Sequence, residues 1–491
     1  YACADNRYRK PSLYLLCKFL MIIHLRHSSL SCITSMILIA FVLLHLQEYD
    51  HSNSAKALIS KYPEFGVPSP KGPTIFDSNV KVQQIFKGLK YPTSIAFLGP
   101  NDILVTEKDA GIVRRIINSI ELQQPLLNVS VATYGHRGML GMAVTPHLSS
   151  TMADLNPNSN HNNNSATNNA YVFLYYTQAQ TSTGDDIAQG KKPLGNRLYR
   201  YQLNSGNNKL VNPRLLLDLP ATPGAIGNGG KIVIGPDNNI YLAIGNVGIN
   251  GHNTQAQNIR NGSAPDGTSG IIRLNQGGKP ITPGILGNKF PLSLYYSYGI
   301  WNSFGLAFDP MTGNLWDTQI GLPYGDEINL VNPGFNSGYN KIDGVWLRGY
   351  GIDQATEKNR IASAHPTDLA DFAGKGKYHL PQFTWFRKVV PSGLAFLNSD
   401  SIGNIYRNDI FVGDVKNGNI YHFKLDAKRT GLLLPLGPIS DGIVNTNDSI
   451  NQILFGRGFG AITDIKVNPY DGYLYILTFN GAIYRIVSAN K

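Results

Sequence analysis

Apolar residues in this chain recur in short runs that alternate with polar ones, and turn residues separate the runs. The stretch 298–338 shows the grammar most clearly. Leu306 and Phe308 alternate with smaller neighbours, Pro310–Gly313 makes a turn, and Asn314–Trp316 starts the next run. An acidic pair, Asp326-Glu327, then abuts Ile328-Asn329-Leu330-Val331. Period-two alternation broken by Pro and Gly predicts antiparallel hairpins rather than helices.

The same grammar recurs in six units, whose leading apolar runs contain Ile95, Met142, Ile232, Leu306, Leu394 and Ile465. A few alternating strands cannot bury both faces alone, so radial stacking of the units is expected. The predicted fold is all-β: a six-bladed β-propeller with long loop insertions over residues 80–491. An N-terminal segment, 1–57, and a linker, 58–79, precede it. Spacing between units is uneven, so long insertions must leave the repeats as loops. The clearest is 149–169, rich in Asn and Ser and too poor in apolar residues to pack.

Residues 1–57 read differently. With Met21 as a start, Arg26, the apolar run Met36–Leu46 and Ala55-Lys56-Ala57 form an export signal. The run is far shorter than the ~20 residues of a membrane span. A second apolar run, Leu13–Leu25, broken by Lys18, leaves an uncleaved membrane anchor as the alternative. Either way the expected location is extracellular or at the cell surface, with membrane contact only through this segment.

Composition narrows the function classes. Only 15% of the 491 residues are charged, and Gly 51 and Pro 28 suit many strands joined by turns. The formal charge of +11 comes from scattered Lys and Arg in runs no longer than two, which argues against nucleic acid as a partner. All three cysteines (Cys3, Cys17, Cys32) precede the repeats, so the body has neither a disulfide framework nor a Cys-based metal site. Zinc-protease, phosphate-loop and nucleophile-elbow motifs are absent. Asn128, Asn163, Asn261 and Asn447 begin sequons that could carry glycans in an exported protein.

Several segments, taken together and in order, resemble the glucose/sorbosone dehydrogenase family. They are His136-Arg-Gly-Met-Leu-Gly-Met-Ala, Gly229-Gly-Lys-Ile-Val-Ile-Gly-Pro-Asp, Ile244-Gly-Asn-Val-Gly, Tyr298-Gly-Ile-Trp-Asn-Ser-Phe-Gly, Asp326-Glu-Ile-Asn-Leu-Val and Asp414-Val-Lys-Asn-Gly-Asn. The resemblance spans about Val80 to Val487. It implies a six-bladed propeller carrying pyrroloquinoline quinone (PQQ) and calcium over one end of its channel. There a histidine takes a proton from a sugar hydroxyl while hydride passes to the quinone. Such chemistry needs a neutral base, cationic donors for the reduced quinone, and hard oxygen ligands for calcium.

This sequence departs from the family at the chemistry itself. The base position is Gly227, a Gly-Asp motif reads Gly245-Asn246, and the arginine position is Trp301, followed by a matching Asn302. The calcium segment reads Gly321-Leu322, where backbone carbonyls remain available. His136 is the nearest replacement base, or else a loop histidine bound to water or a carbonyl. Arg137 contributes charge or makes a structural ion pair. Lys416 matches a position facing the quinone, or else tops a hairpin turn. The resemblance puts Asp326 and Glu327 near calcium; alternatively they are a solvated pair at a strand end. Trp301 either stacks on a sugar or aromatic ligand or fills the quinone's space.

Two functions follow. One is an exported quinoprotein that oxidises an aldose with PQQ. In it His136 is the base, Arg137, Asn246, Trp301, Asn302 and Lys416 line the cofactor, and Gly321, Asp326 and Glu327 hold calcium. The other is a non-catalytic propeller of the same descent that binds a carbohydrate or protein at the cell surface.

Overall fold

A computed structural model describes residues 65–145, 170–181, 192–248, 252–322, 324–345, 365–444 and 447–489. The expected signal segment, the loop 149–169 and Asn163 lie outside them. The compact body of the chain is Glu64–Lys491.

Among the described residues, strands of the body form six sheets, and each predicted unit supplies one. The second is representative: Met139–Val144, Tyr171–Gln178, Gly195–Asn204 and Lys209–Leu219 pair antiparallel in chain order. The first strands of the sheets are Pro92–Gly99, Met139–Val144, Ile232–Ile234, Ser303–Phe308, Pro391–Phe396 and Ile462–Val467. Each touches the next in chain order, and the last touches the first. The fold is therefore all-β and propeller-like. Among the described residues, helix is confined to short 3₁₀ turns and Asn447–Ile450, and none is long and apolar enough to cross a membrane.

Two N-terminal strands bind the body together. Val80–Lys87 pairs antiparallel with the final strand, Ala482–Ser488, so the sixth sheet joins both ends of the body. Thr74–Ile75, inside the stretch expected to be a linker, pairs with Leu454–Arg457 in the fifth sheet. Just before it, the Gly66 amide donates to the Val415 carbonyl at 2.8 Å, and the Gly66 carbonyl accepts from the Ala461 amide at 3.0 Å.

Apolar cores lie between neighbouring sheets, as period-two strands with both faces covered require. Trp316, Trp385, Leu394, Val412 and Tyr421 join the fourth sheet to the fifth. Leu315 and Val331, on the fourth sheet's other face, meet Tyr241, Ile271 and Phe335. Nearer the axis the contacts turn polar. The Lys231 ammonium, just ahead of the third sheet, pairs with Asp464 on the first strand of the sixth. The other Asp464 oxygen accepts from Ser94 Oγ and the Ile95 amide, each at 3.1 Å, so one buried carboxylate ties three sheets.

Candidate functional site

Segments leading into the first strands gather the residues singled out in the sequence. The loop before Met139 packs on the loop before Ile232: the His136 amide donates to the Ala225 carbonyl at 2.9 Å. The loop after Ile244 crosses to the segment before Ser303, where the Asn246 amide donates to the Trp301 carbonyl at 2.8 Å. Val390, ahead of the fifth sheet, packs in the same apolar cluster as Trp301. His136, Gly227, Asn246, Trp301, Asn302 and Asp326 thus belong to one connected end of the molecule.

His136 is half-buried, and among the described residues its Nδ1 has no hydrogen-bond partner. Burial, helped by the cationic Lys108 and Lys388, pushes its pKa down to about 4. The ring is therefore neutral at physiological pH. Arg137 is fully buried and donates to the Ala221 and Gly224 carbonyls, bracing the loop ahead of the third sheet.

Gly227 sits at φ +71, and a Cβ there would lie 3.2 Å from the Val247 nitrogen. A side chain at the family's base position would enter a left-handed, crowded turn. Asn246 is fully engaged: its Nδ2 donates to the Gly248 carbonyl at 2.7 Å and to Tyr339 Oη at 2.9 Å, while its Oδ1 accepts from Gln257. Asn302 Oδ1 accepts from the Gly229 amide at 3.0 Å. Asn246 spends both its side-chain polar atoms, and Asn302 its oxygen, on fixing loops.

Trp301 is 4% exposed. Its ring lies 5.5 Å from that of Tyr339, in an apolar cluster with Ile320 that Ile226, Phe304, Leu322 and Val390 complete. A planar tricarboxylate quinone needs a flat slot with polar edges. Of the positions the resemblance assigns to the cofactor, Arg137, Asn246, Asn302 and Lys416 are polar, but at Trp301 this chain has a buried indole packed among apolar side chains, a poor fit to a tricarboxylate such as PQQ.

Asp326 and Glu327 are both buried, on opposite faces of one strand. Asp326 accepts three backbone amides: Gly321 at 2.9 Å, Val389 at 2.6 Å and Val390 at 2.7 Å. It is a staple between two loops, although burial still raises its pKa to about 6. Glu327 accepts from Asn329 Nδ2, Ser337 Oγ and the Gly344 amide, and burial lifts its pKa to about 8.

The sequence reading missed what lies beside Glu327. Gln319 is its cross-strand partner, and Asp317 faces Asn329 one step further along. All are buried, and among the described residues no donor lies in good hydrogen-bond geometry to Asp317 Oδ1 or Oδ2, Gln319 Oε1 or Asn329 Oδ1, with Asn329 and Ser303 only approaching Asp317. Burial raises the Asp317 pKa to about 7, with Asn329 and Ser303 partly offsetting it. Buried oxygens without donors call for water or a cation. The donors suit a hard ion such as calcium, with amide oxygens completing the set. Among the described residues, no three His, Cys, Asp or Glu side chains cluster as metal ligands. The available signal was Asp317 itself, a charge on the inward face of a strand between Leu315 and Gln319.

Lys416 is exposed, and its Nζ donates to the Lys388 carbonyl at 3.1 Å. The cations around His136 were otherwise missed, because Lys108 and Lys388 lie far apart in sequence.

The chain is 25% identical over 406 residues to the aldose sugar dehydrogenase YliI of Escherichia coli, covering 82% of this chain and 90% of that protein. It is 27% identical over 323 residues to quinoprotein glucose dehydrogenase B of Acinetobacter calcoaceticus, covering 61% and 59%. A similar solved fold is the PQQ-bound aldose sugar dehydrogenase of Streptomyces coelicolor. It has TM-score 0.54 and 20% identity, and the match covers 84% of this chain and 99% of that one. The family model for Glucose / Sorbosone dehydrogenase matches residues 89–485, and the chain belongs to that family.

Proposed function

We propose that this chain is an exported, six-bladed propeller of the glucose/sorbosone dehydrogenase family that binds a carbohydrate at the cell surface and does not oxidise it. The buried Trp301 cluster carries this reading, because Trp301 stands at a position that the family resemblance assigns to the quinone site and is enclosed by apolar side chains. Gly227 adds to it, since glycine cannot take a proton and its turn leaves little room for a larger residue. Export rests on the N-terminal pattern and on a body that lacks cysteine. Calcium remains part of the proposal as a structural ion. Glu327 and Asp317 would hold it with Gln319 and Asn329, neutralising carboxylates that burial otherwise protonates.

The second reading is a PQQ-dependent aldose dehydrogenase with His136 as base. The neutral imidazole beside Lys108 and Lys388 favours it, since a base and nearby cations are what that chemistry requires. Titrating PQQ with calcium into the protein by calorimetry, then following dye reduction with a panel of aldoses, separates the two. The binding-protein reading expects no quinone binding at high micromolar PQQ and no reduction. Saturable, sugar-dependent reduction that disappears in His136→Ala would establish the dehydrogenase instead.

A further inference from the structure

The end of the molecule that holds Trp301 also concentrates positive charge. Lys108 follows the strand Asp102–Glu107 of the first sheet. Lys388 leads into Pro391–Phe396, and Lys416 follows Ile410–Asp414, both of the fifth sheet. Lys108 and Lys388 act together on the His136 ring, and Lys416 is tied to the Lys388 backbone. Arg387, exposed beside Lys388, adds to the same sign.

The nearby carboxylates do little to cancel this charge. Asp109 pairs with Lys108 at 2.8 Å. Asp326 is buried beneath Val389 and Val390 and capped by their amides. Asp414 is turned inward, accepting from the Asn417 and Gly418 amides and from Tyr421 Oη. Among the described residues, no carboxylate lies within ion-pair distance of Lys388 or Lys416, although the Lys388 charge acts on the buried Asp326.

Aromatic surface accompanies the cations. Tyr134 is 56% exposed and shares a tight turn with His136, its carbonyl accepting from the Arg137 amide at 3.3 Å. Phe386, two residues before Lys388, stacks on Tyr324 with centroids 5.5 Å apart and planes 13° from parallel. Aromatic faces suit the apolar side of a sugar ring, and ammonium groups suit a carboxylate.

We infer that this surface binds an acidic saccharide of the uronate type. Its carboxylate would sit on Lys388 and Lys416, its ring against Tyr134 or the Phe386–Tyr324 pair, and a hydroxyl on the His136 imidazole. This assignment rests on the binding-protein reading and adds the class of ligand.

Calorimetric titration of the full chain with glucuronate tests it, with glucose, acetate and glucose 6-phosphate as parallel arms. Glucuronate should bind saturably and more weakly at high salt. Lys388→Gln and Lys416→Gln should each weaken it by about tenfold, as expected for losing a charge-assisted contact, with unchanged circular dichroism. Tyr134→Ala should weaken glucuronate but leave acetate alone. Glucose binding as tightly as glucuronate, or lysine variants with unaltered affinity, would overturn the assignment. Acetate matching glucuronate would reduce the site to a bare anion site, and preference for the sugar phosphate would overturn the carboxylate. PQQ binding with aldose-dependent dye reduction would instead sink the binding-protein reading beneath it. Absence of binding to both quinone and glucuronate would sink the ligand class alone.

Discussion

At the scale of single residues, this molecule uses as structure what its sequence offers as chemistry. Asp326 is the clearest case, with one carboxylate holding three amides from two loops. Asp326→Ala strands those donors in the interior, and denaturant unfolding should register a loss of about 3 kcal/mol or more. Glu327 and Asp317 invite a pH test. Burial raises their pKa to about 8 and about 7, so the folded chain holds protons that the unfolded chain has released. Their contribution is complete at low pH and disappears as pH rises through those values. His136 has the opposite sign, because its lowered pKa favours folding as pH rises from about 4 to its ordinary value. Above roughly pH 6.5, the ordinary histidine value, only the falling contributions remain of these three groups. In chelator, the melting temperature should therefore drop between pH 6.5 and 8. Calcium should flatten that slope, and Glu327→Gln should reduce it. A slope unaffected by calcium would dismiss the ion.

At the scale of elements, the leading strands meet closely near the axis, and small residues make that possible. A Cβ at Gly141, on the strand Met139–Val144, would lie 1.7 Å from the Gly230 carbonyl ahead of the third sheet. Backbone cannot swing aside as a side chain can. Gly141→Ala should cost about 3 kcal/mol, the upper range for overpacking, visible as a lower urea midpoint. Equal stability would mean that the second and third sheets are less tightly joined. The strand Ser303–Phe308 was legible by alternation alone, and so was its hairpin partner Leu315–Gln319. That Asp317 points into the interface with the third sheet was not, because alternation gives two faces without saying what covers each.

At the scale of the whole molecule, closure depends on residues far apart in sequence. Val80–Lys87 completes the sheet built from the last strands, and Lys231, Ser94 and Asp464 tie three sheets near the axis. A chain beginning at Gly88 should lose cooperative unfolding and expose apolar surface, measurable by dye binding and by a broadened thermal transition. A sharp, unshifted transition would show that the sixth sheet is stable without its outer strand.

The sequence by itself determined the strands, their grouping and the family, because period-two alternation and turn residues are local properties. It also exposed the gaps in the family's chemistry at Gly227 and Trp301, since the identity of a residue needs no coordinates. What became of those positions was decided only by the fold. Trp301 is enclosed because Ile226, Ile320, Tyr339 and Val390, from separate loops, meet around it. Asp326 and Glu327 look alike as neighbours, yet one pins loops while the other faces a set of unsatisfied oxygens. Lys108, Lys388 and His136 share one electrostatic environment although they lie on three different sheets' loops. Burial, solvation and the meeting of distant loops are tertiary quantities, and they set the pKa values and the surface from which function is read.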